Sequence, residues 1–138
     1  MLTSADLLLD TSAAIALLDE AHPGHAVVQR ETAGLTLGLA GHALFETYSV
    51  LTRLPGKKRV SARTAATLIA REFPQSVALP QTMAPAAVSS LAEAGVSGGA
   101  VYDGLVALAA GTAGISLLSR DSRAAATYSA LKIDFRLA

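Results

Sequence analysis

The sequence predicts an α/β fold, a three-layer α/β/α sandwich whose central, mostly parallel sheet has about five strands. Short runs rich in Leu, Val and Ile alternate along the chain with longer Ala-rich segments of helical period, which is the pattern of βα units. The 138 residues are 51% hydrophobic and only 4% aromatic. We therefore expect a single domain over residues 1–138 with a core of aliphatic side chains.

Each element of this fold has its own signal in the sequence. Pro85 suits the first turn of a helix, and Gly34, Gly95 and Gly111 suit helix ends. The apolar runs predict strands near Leu7–Asp10, Leu35–Leu39, Ser76–Leu79, Ile115–Ser119 and Ile133–Phe135. The segments of helical period predict helices near Ser12–Leu18, His25–Ala33, His42–Arg53, Ala62–Glu72, Pro85–Ala94, Ala100–Ala110 and Ser122–Leu131.

Composition and charge exclude several classes of protein. The chain has no cysteine, which excludes disulfides, thiolate metal sites and a cysteine nucleophile. Its eleven basic and eleven acidic residues balance, so any contact with a polyanion must be local. Asp6 and Asp10 bracket the first leucine run, unlike a signal peptide, and no apolar stretch reaches the roughly 20 residues of a membrane span. These features favour a cytoplasmic protein without a membrane segment.

Four carboxylates lack an obvious partner in the sequence. Asp10 ends the first predicted strand and Asp121 follows the fourth, so both should reach the edge of the sheet where α/β proteins bind ligands. Glu46 has no Lys or Arg three or four residues away in its helix, and Asp103 is the only charged residue in the range 95–118. A buried carboxylate without a partner is costly, so these acids need an explanation.

Two explanations remain open for these acids. Taken singly, Asp10 and Asp121 could be helix N-caps, Glu46 could lie on a solvated helix face, and Asp103 could be a hydrogen-bonded core acid. If the four converge, they cannot all stay ionised without a cation. An all-oxygen ligand set selects Mg²⁺ or Mn²⁺ over Zn²⁺. Such an ion activates water for phosphodiester hydrolysis.

Four motifs resemble those of the PIN-domain ribonucleases, and most closely the VapC toxins of type II (VapBC) toxin–antitoxin systems. They are LLLDTSA, FETYSVLTRLPG, VYDGLVALAAG and SLLSRDSRAAA, in that order. By this resemblance Asp10, Glu46, Asp103 and Asp121 are the catalytic and metal-binding residues. By the same resemblance Thr11, Ser12 and Ser119 occupy the positions of supporting hydroxyls beside the metal.

The resemblance also implies an activity and partners. It implies Mg²⁺- or Mn²⁺-dependent cleavage of RNA, a homodimer, and a small VapB-type antitoxin that blocks the site. Two departures from the family pattern concern helix packing: Gly104 follows Asp103, and alanines at 124–126 stand where an aromatic residue often occurs.

A basic segment is the candidate contact for RNA. Five of the eleven basic residues lie close together in this segment: Arg53, Lys57, Lys58, Arg59 and, shortly after, Arg63. Phosphate binding needs such a local patch. The alternative is a solvated turn between two helices.

Three other interpretations of the sequence are weaker than the interpretation as a nuclease. The residues His22 and His25 are expected at a surface helix start rather than as a ligand pair. A phosphoacceptor module of the receiver type is disfavoured because the predicted strand Ser76–Leu79 supplies no Asp. A non-catalytic PIN-like module that binds RNA or protein remains the alternative, although the presence of all four acids favours catalysis.

Overall fold

Four parallel strands form the centre of the fold, in the order β2-β1-β3-β4. The computed structural model describes residues 4–138. The strands are β1 (Leu7–Leu9), β2 (Leu37–Leu39), β3 (Leu117–Ser119) and β4 (Phe135–Leu137). β1 and β3 lie side by side in the middle and are buried along their whole length. This arrangement places the ends of β1 and β3 next to each other.

Helices cover the sheet on both faces. The chain crosses from β1 to β2 in one direction and from β2 to β3 in the other, so right-handed crossovers place helices on opposite faces. The predicted three-layer α/β fold is therefore confirmed. Within residues 4–138 the α-helices are α1 (Thr11–Leu18), α2 (His25–Thr32), α3 (Ala43–Thr52), α4 (Ala62–Glu72), α5 (Ala84–Glu93), α6 (Ala100–Ala113) and α7 (Ser122–Ala130).

The core is aliphatic, as the composition predicts. The largest side chains with no exposure are leucines of β1, β2 and β3, namely Leu8, Leu9, Leu39, Leu117 and Leu118, together with Tyr128. Within the described residues, no helix is both long and apolar enough to cross a membrane.

The predicted strand at Ser76–Leu79 is wrong, because this segment makes only one parallel bridge, between Val77 and Ala40. The Val77 N–H donates to the Leu39 carbonyl (3.0 Å). The Leu39 N–H, however, donates to the side-chain oxygen of Ser76 (2.9 Å) rather than to a backbone carbonyl. The serine hydroxyl thus takes the place of a backbone acceptor, and the pairing is limited to one bridge.

Two helix ends also differ from the prediction. α6 continues through Gly111 and ends before Gly114, whose left-handed φ of 69° terminates it as glycine does readily. The backbone N–H groups of Lys132 and Ile133 close the end of α7 by donating to Ser129 and Tyr128. Because Ile133 is used in this closure, β4 begins two residues later than predicted, at Phe135.

Helix packing explains why position 104 is a glycine. A Cβ at this position would lie 2.4 Å from Cδ2 of Leu91, a buried residue of α5. The absence of a side chain at Gly104 lets α5 pack against α6 beside Asp103. This departure from the family pattern is therefore accommodated by the neighbouring helix.

Candidate active site

A cavity of about 400 Å³ brings the four predicted carboxylates into one wall at the carboxyl edge of the sheet. Asp10 is 4% exposed, and the other three are half-buried. The residues that line the cavity are Asp10, Glu46, Asp103 and Asp121, with Thr11, Ser12, Ile15, His22, Val50, Val106 and Arg120.

Each carboxylate lies at or near the start of a helix. Asp10 directly follows β1 and caps α1, its Oδ1 accepting a hydrogen bond from the Ala13 N–H. Asp121 caps α7 by accepting from the Arg123 N–H. Glu46 and Asp103 lie in the first turns of α3 and α6. The positive ends of four helix dipoles therefore face the same group of acids and partly offset their charge. The N-cap interpretation of Asp10 and Asp121 is correct, and both residues line the cavity as well.

Asp10 is held by two hydroxyl donors. Tyr128 donates to Oδ2 at 2.7 Å and Ser12 donates to Oδ1 at 2.6 Å. Tyr128 has no exposed surface, and its burial, followed by the charge and the hydrogen bond of Asp10, raises its pKa far above the ordinary value. The phenol therefore remains protonated and remains a donor to Asp10.

Ser12 and Ser119 join the ends of β1 and β3. Ser12 Oγ accepts a hydrogen bond from the Arg120 N–H (2.8 Å) and lies 3.3 Å from Ser119 Oγ. Ser119 Oγ accepts from the Asp121 N–H (3.0 Å). Ser12 and Thr11 belong to the cavity wall, whereas Ser119 is fully buried behind it. The serine pair fixes the two chain segments that carry Asp10 and Asp121.

The electrostatic environment of the cavity favours a cation. The pKa of Asp103 is raised, first by its burial and then by the negative charges of Asp121, Asp10 and Glu46. Nearby His42 acts in the opposite direction. None of the ion pairs found within residues 4–138 involves the four cavity acids. In the same range, Arg120 is the one lysine or arginine that lines the cavity, and it makes no ion pair with these acids.

The donor set fits a hard divalent ion that keeps part of its water shell. Within residues 4–138, no three Asp, Glu, His or Cys side chains lie close enough together to hold a metal on their own. The four carboxylates line the cavity, but no three of them meet at one point. Mg²⁺ is typically bound through one or two carboxylates and several waters, an arrangement that this spacing permits. Asp10, Glu46, Asp103 and Asp121 are the residues that could supply those oxygens.

The basic segment does not line the cavity. Val50 of α3 does line it, and Arg53 follows Val50 by three residues. Arg53, Lys57, Lys58 and Arg59 are all exposed. Lys58 pairs with Asp19 at 3.3 Å, and Arg59 Nε donates to the Leu54 carbonyl at 3.0 Å. The predicted basic patch is thus an exposed surface feature outside the cavity wall.

Sequence reasoning missed three residues of the site. Tyr128 has no nearby motif, and its only signal is that it is the one aromatic residue in α7. Arg120 stands between two predicted residues, Ser119 and Asp121, which could have drawn attention to it. His22 and His25 do not act as a pair: His22 Nδ1 accepts from the Gly24 N–H and His25 Nδ1 contacts the Ala16 carbonyl oxygen. His22 nevertheless lines the cavity.

Comparison with known proteins gives consistent matches. A family model of the PIN domain matches residues 7–129. Ribonuclease VapC27 of Mycobacterium tuberculosis (strain ATCC 25618 / H37Rv) is 45% identical over 122 residues, which are 88% of this chain and 89% of that protein.

Two solved structures show the same fold. M. tuberculosis VapC20, described as a Sarcin-Ricin loop cleaving toxin, superposes with a TM-score of 0.67 at 20% identity, covering 87% of this chain and 93% of its own. VapBC2 from Rickettsia felis, bound to a DNA fragment from its promoter, has a TM-score of 0.67 at 12% identity, covering 96% and 98%.

Proposed function

The chain belongs to the PIN domain family, and from this premise we propose that it is an endoribonuclease, the toxin of a toxin–antitoxin pair. The observation that carries the proposal is the meeting of Asp10, Glu46, Asp103 and Asp121 in one cavity. A set of carboxylates without counter-ions suits the hydrolysis of a phosphodiester by activated water, which needs no side-chain nucleophile.

Mg²⁺ or Mn²⁺ is the proposed cofactor. Oxygens from among these four carboxylates would hold it together with several waters, and when bound it would lower the pKa of a water and neutralise charge on the leaving oxygen. The chain's own contribution is orientation: Tyr128 and Ser12 fix the two oxygens of Asp10, and Ser119 fixes the backbone at Asp121. Rigid ligands of this kind hold a site near its productive geometry before substrate arrives.

Single-stranded or looped RNA is the proposed substrate. The deep, narrow major groove of duplex RNA hides its base edges, whereas unpaired segments expose them. The exposed side chains of Arg53, Lys57, Lys58 and Arg59 would contact phosphates of the bound RNA. The protein would therefore bind RNA with an affinity that falls as salt is added.

The proposed partner is a VapB-type antitoxin, and the proposed state of the toxin is a homodimer in the cytoplasm. The VapBC2 complex of Rickettsia felis has the same fold in its matching chain, which supports an antitoxin for this protein. A polypeptide that covers the cavity would block access to the carboxylates. Expression of the chain alone should then arrest growth, and co-expression of a neighbouring antitoxin gene should relieve the arrest.

Cleavage of RNA by the purified chain tests the proposal. We expect cutting with Mg²⁺ or Mn²⁺, none in EDTA, and none by Asp10→Asn or Asp103→Asn. Glu93→Gln, which removes an exposed carboxylate at the end of α5, is the matched control and should cut normally. Mapping of the RNA ends produced by wild type beside Asp103→Asn identifies the site of cleavage. Cutting at the wild-type rate by both Asn variants would refute the active-site assignment, and RNA binding without cutting would favour a non-catalytic PIN-like module.

A further inference from the structure

Arg120 is a cation in the wall of the acidic cavity that is held away from the acids. Its backbone N–H donates to Ser12 Oγ, and the residue lines the cavity. Nη1 donates to the backbone oxygen of Ala138 at 3.2 Å. This contact draws the guanidinium towards the end of β4, and Arg120 takes part in none of the ion pairs found in residues 4–138. Arg120 is therefore not the counter-ion of the carboxylates.

Gly24 makes room for the Arg120 side chain. A Cβ at Gly24 would lie 2.3 Å from Nε and 2.4 Å from Cζ of Arg120, so the guanidinium group lies directly against the glycine. The φ of Gly24 is −89°, which any residue can adopt. The glycine therefore matters for the space it leaves to the Arg120 side chain rather than for backbone conformation. Arg120 is held between Gly24 on one side and Ala138 on the other.

His22 belongs to the same turn and presents a second nitrogen donor. Its Nδ1 accepts a hydrogen bond from the Gly24 N–H at 2.9 Å, which assigns the proton of the neutral ring to Nε2. His22 is half-buried and lines the same cavity as Arg120. Gly24 thus orients His22 through its N–H and admits Arg120 through its missing side chain.

We propose that Arg120 and His22 form a phosphate-binding subsite beside the carboxylate cavity, which holds an RNA phosphate next to the one that is cut. The guanidinium uses only its bond to Ala138 among the side-chain hydrogen bonds found in the described residues, so most of its N–H donors remain available. Planar guanidinium donors match phosphate oxygens in a way that a lysine does not. The inference rests on the proposed function, since it takes RNA as the ligand.

RNA binding in the absence of cleavage is the direct test. All proteins carry Asp103→Asn, the buffer contains EDTA, and the probe is a fluorescently labelled single-stranded RNA titrated by anisotropy at several KCl concentrations. Arg120→Gln should weaken binding by roughly fivefold and reduce the slope of log affinity against log salt by about 0.7, the value for one lost contact to a single strand. Arg71→Gln removes an exposed arginine that pairs with Glu72 on α4 and should leave the slope unchanged.

Two further variants separate binding from folding. Gly24→Ala keeps every charge but displaces the guanidinium, because the flexible end of Arg120 can move out of the way. It should weaken binding of the RNA about as much as Arg120→Gln. Arg120→Lys keeps the charge and loses the planar group, so its salt slope should match the parent protein while its affinity is intermediate. Thermal melting of each variant checks that binding is measured on folded protein.

The outcomes distinguish this subsite from the nuclease assignment. If both Arg120→Gln and Gly24→Ala bind RNA with the affinity and salt slope of the parent protein, the subsite is overturned. A lowered melting temperature without a change in RNA binding would also overturn it, because Arg120 would then have only a structural role at Ala138. Weakened binding in both variants, together with normal cutting by Asp10→Asn and Asp103→Asn, would support the subsite and refute the catalytic assignment instead.

Discussion

The hydroxyl of Tyr128 donates a 2.7 Å hydrogen bond to Oδ2 of Asp10, although the two residues are 118 positions apart in the chain. The bond ties α7 to the end of β1. With Ser12 at Oδ1, both oxygens of this buried carboxylate accept bonds from neutral donors. Asp10 is thereby oriented while its charge remains available to a cation.

Tyr128→Phe should destabilise the protein. The substitution removes one donor from a carboxylate that is 4% exposed, and a hydrogen bond to a charged group contributes about 1.5–3 kcal/mol. The edge-to-face contact of the ring with Phe135, at 5.5 Å between centroids, should survive. Urea unfolding measures the loss.

Tyr102→Phe is the matched control, because Tyr102 is 55% exposed and its hydroxyl has no hydrogen bond among those found in residues 4–138. Its free energy of unfolding should change by less than about 0.5 kcal/mol. Equal stabilities for the two Phe variants would show that the Tyr128–Asp10 bond contributes nothing.

Asp103→Asn should stabilise the metal-free protein while it abolishes cleavage. Burial and the three neighbouring carboxylates raise the pKa of Asp103, so its ionised form is disfavoured in the folded state. Removal of this charge should raise the free energy of unfolding at pH 7, and with it the melting temperature. A loss of stability would contradict the electrostatic argument.

The pH dependence of stability follows from the same pKa shift. A carboxyl whose pKa is raised on folding binds its proton more tightly in the folded state than in the unfolded state. Its contribution therefore makes the protein less stable as the pH rises from the ordinary pKa of 3.8 through the raised pKa of the folded state. The difference in stability between Asp103→Asn and wild type should therefore shrink as the pH falls towards 4. Urea unfolding in EDTA between pH 4 and 8 measures it, and a difference that grows with acidity would contradict the assignment.

The sequence predicts this fold well where one physical signal decides the structure. The βα alternation decides the parallel sheet, and the unpartnered acids Asp103 and Glu46 identify the cavity because nothing local neutralises them. The predicted strand at Ser76–Leu79 failed because a single serine hydroxyl replaces a backbone acceptor. Tyr128 was missed because its partner, Asp10, lies at the other end of the chain. Contacts set by tertiary structure leave no periodicity in the sequence.

Gly104→Ala should destabilise the protein without a direct effect on chemistry. The new methyl group would meet Cδ2 of buried Leu91 at 2.4 Å, and overpacking of this kind costs about 1–3 kcal/mol. Gly99→Ala is the control, because nothing lies within 4 Å of its Cβ position and its φ of −62° suits alanine. Thermal melting compares the two. A melting temperature for Gly104→Ala as high as for Gly99→Ala would mean that α5 shifts freely.

Lys57→Gln should weaken RNA binding more than Lys58→Gln. Both lysines are exposed, but the Lys58 ammonium lies 3.3 Å from the Asp19 carboxylate, which offsets part of its attraction for phosphate. Lys57 is in none of the ion pairs found in residues 4–138. The salt slope for a single-stranded RNA should fall by about 0.7 in Lys57→Gln and by less in Lys58→Gln. Asp19→Asn should tighten binding, because it frees Lys58. Equal losses in the two lysine variants, with no effect of Asp19→Asn, would show that the Lys58–Asp19 pair does not form in solution.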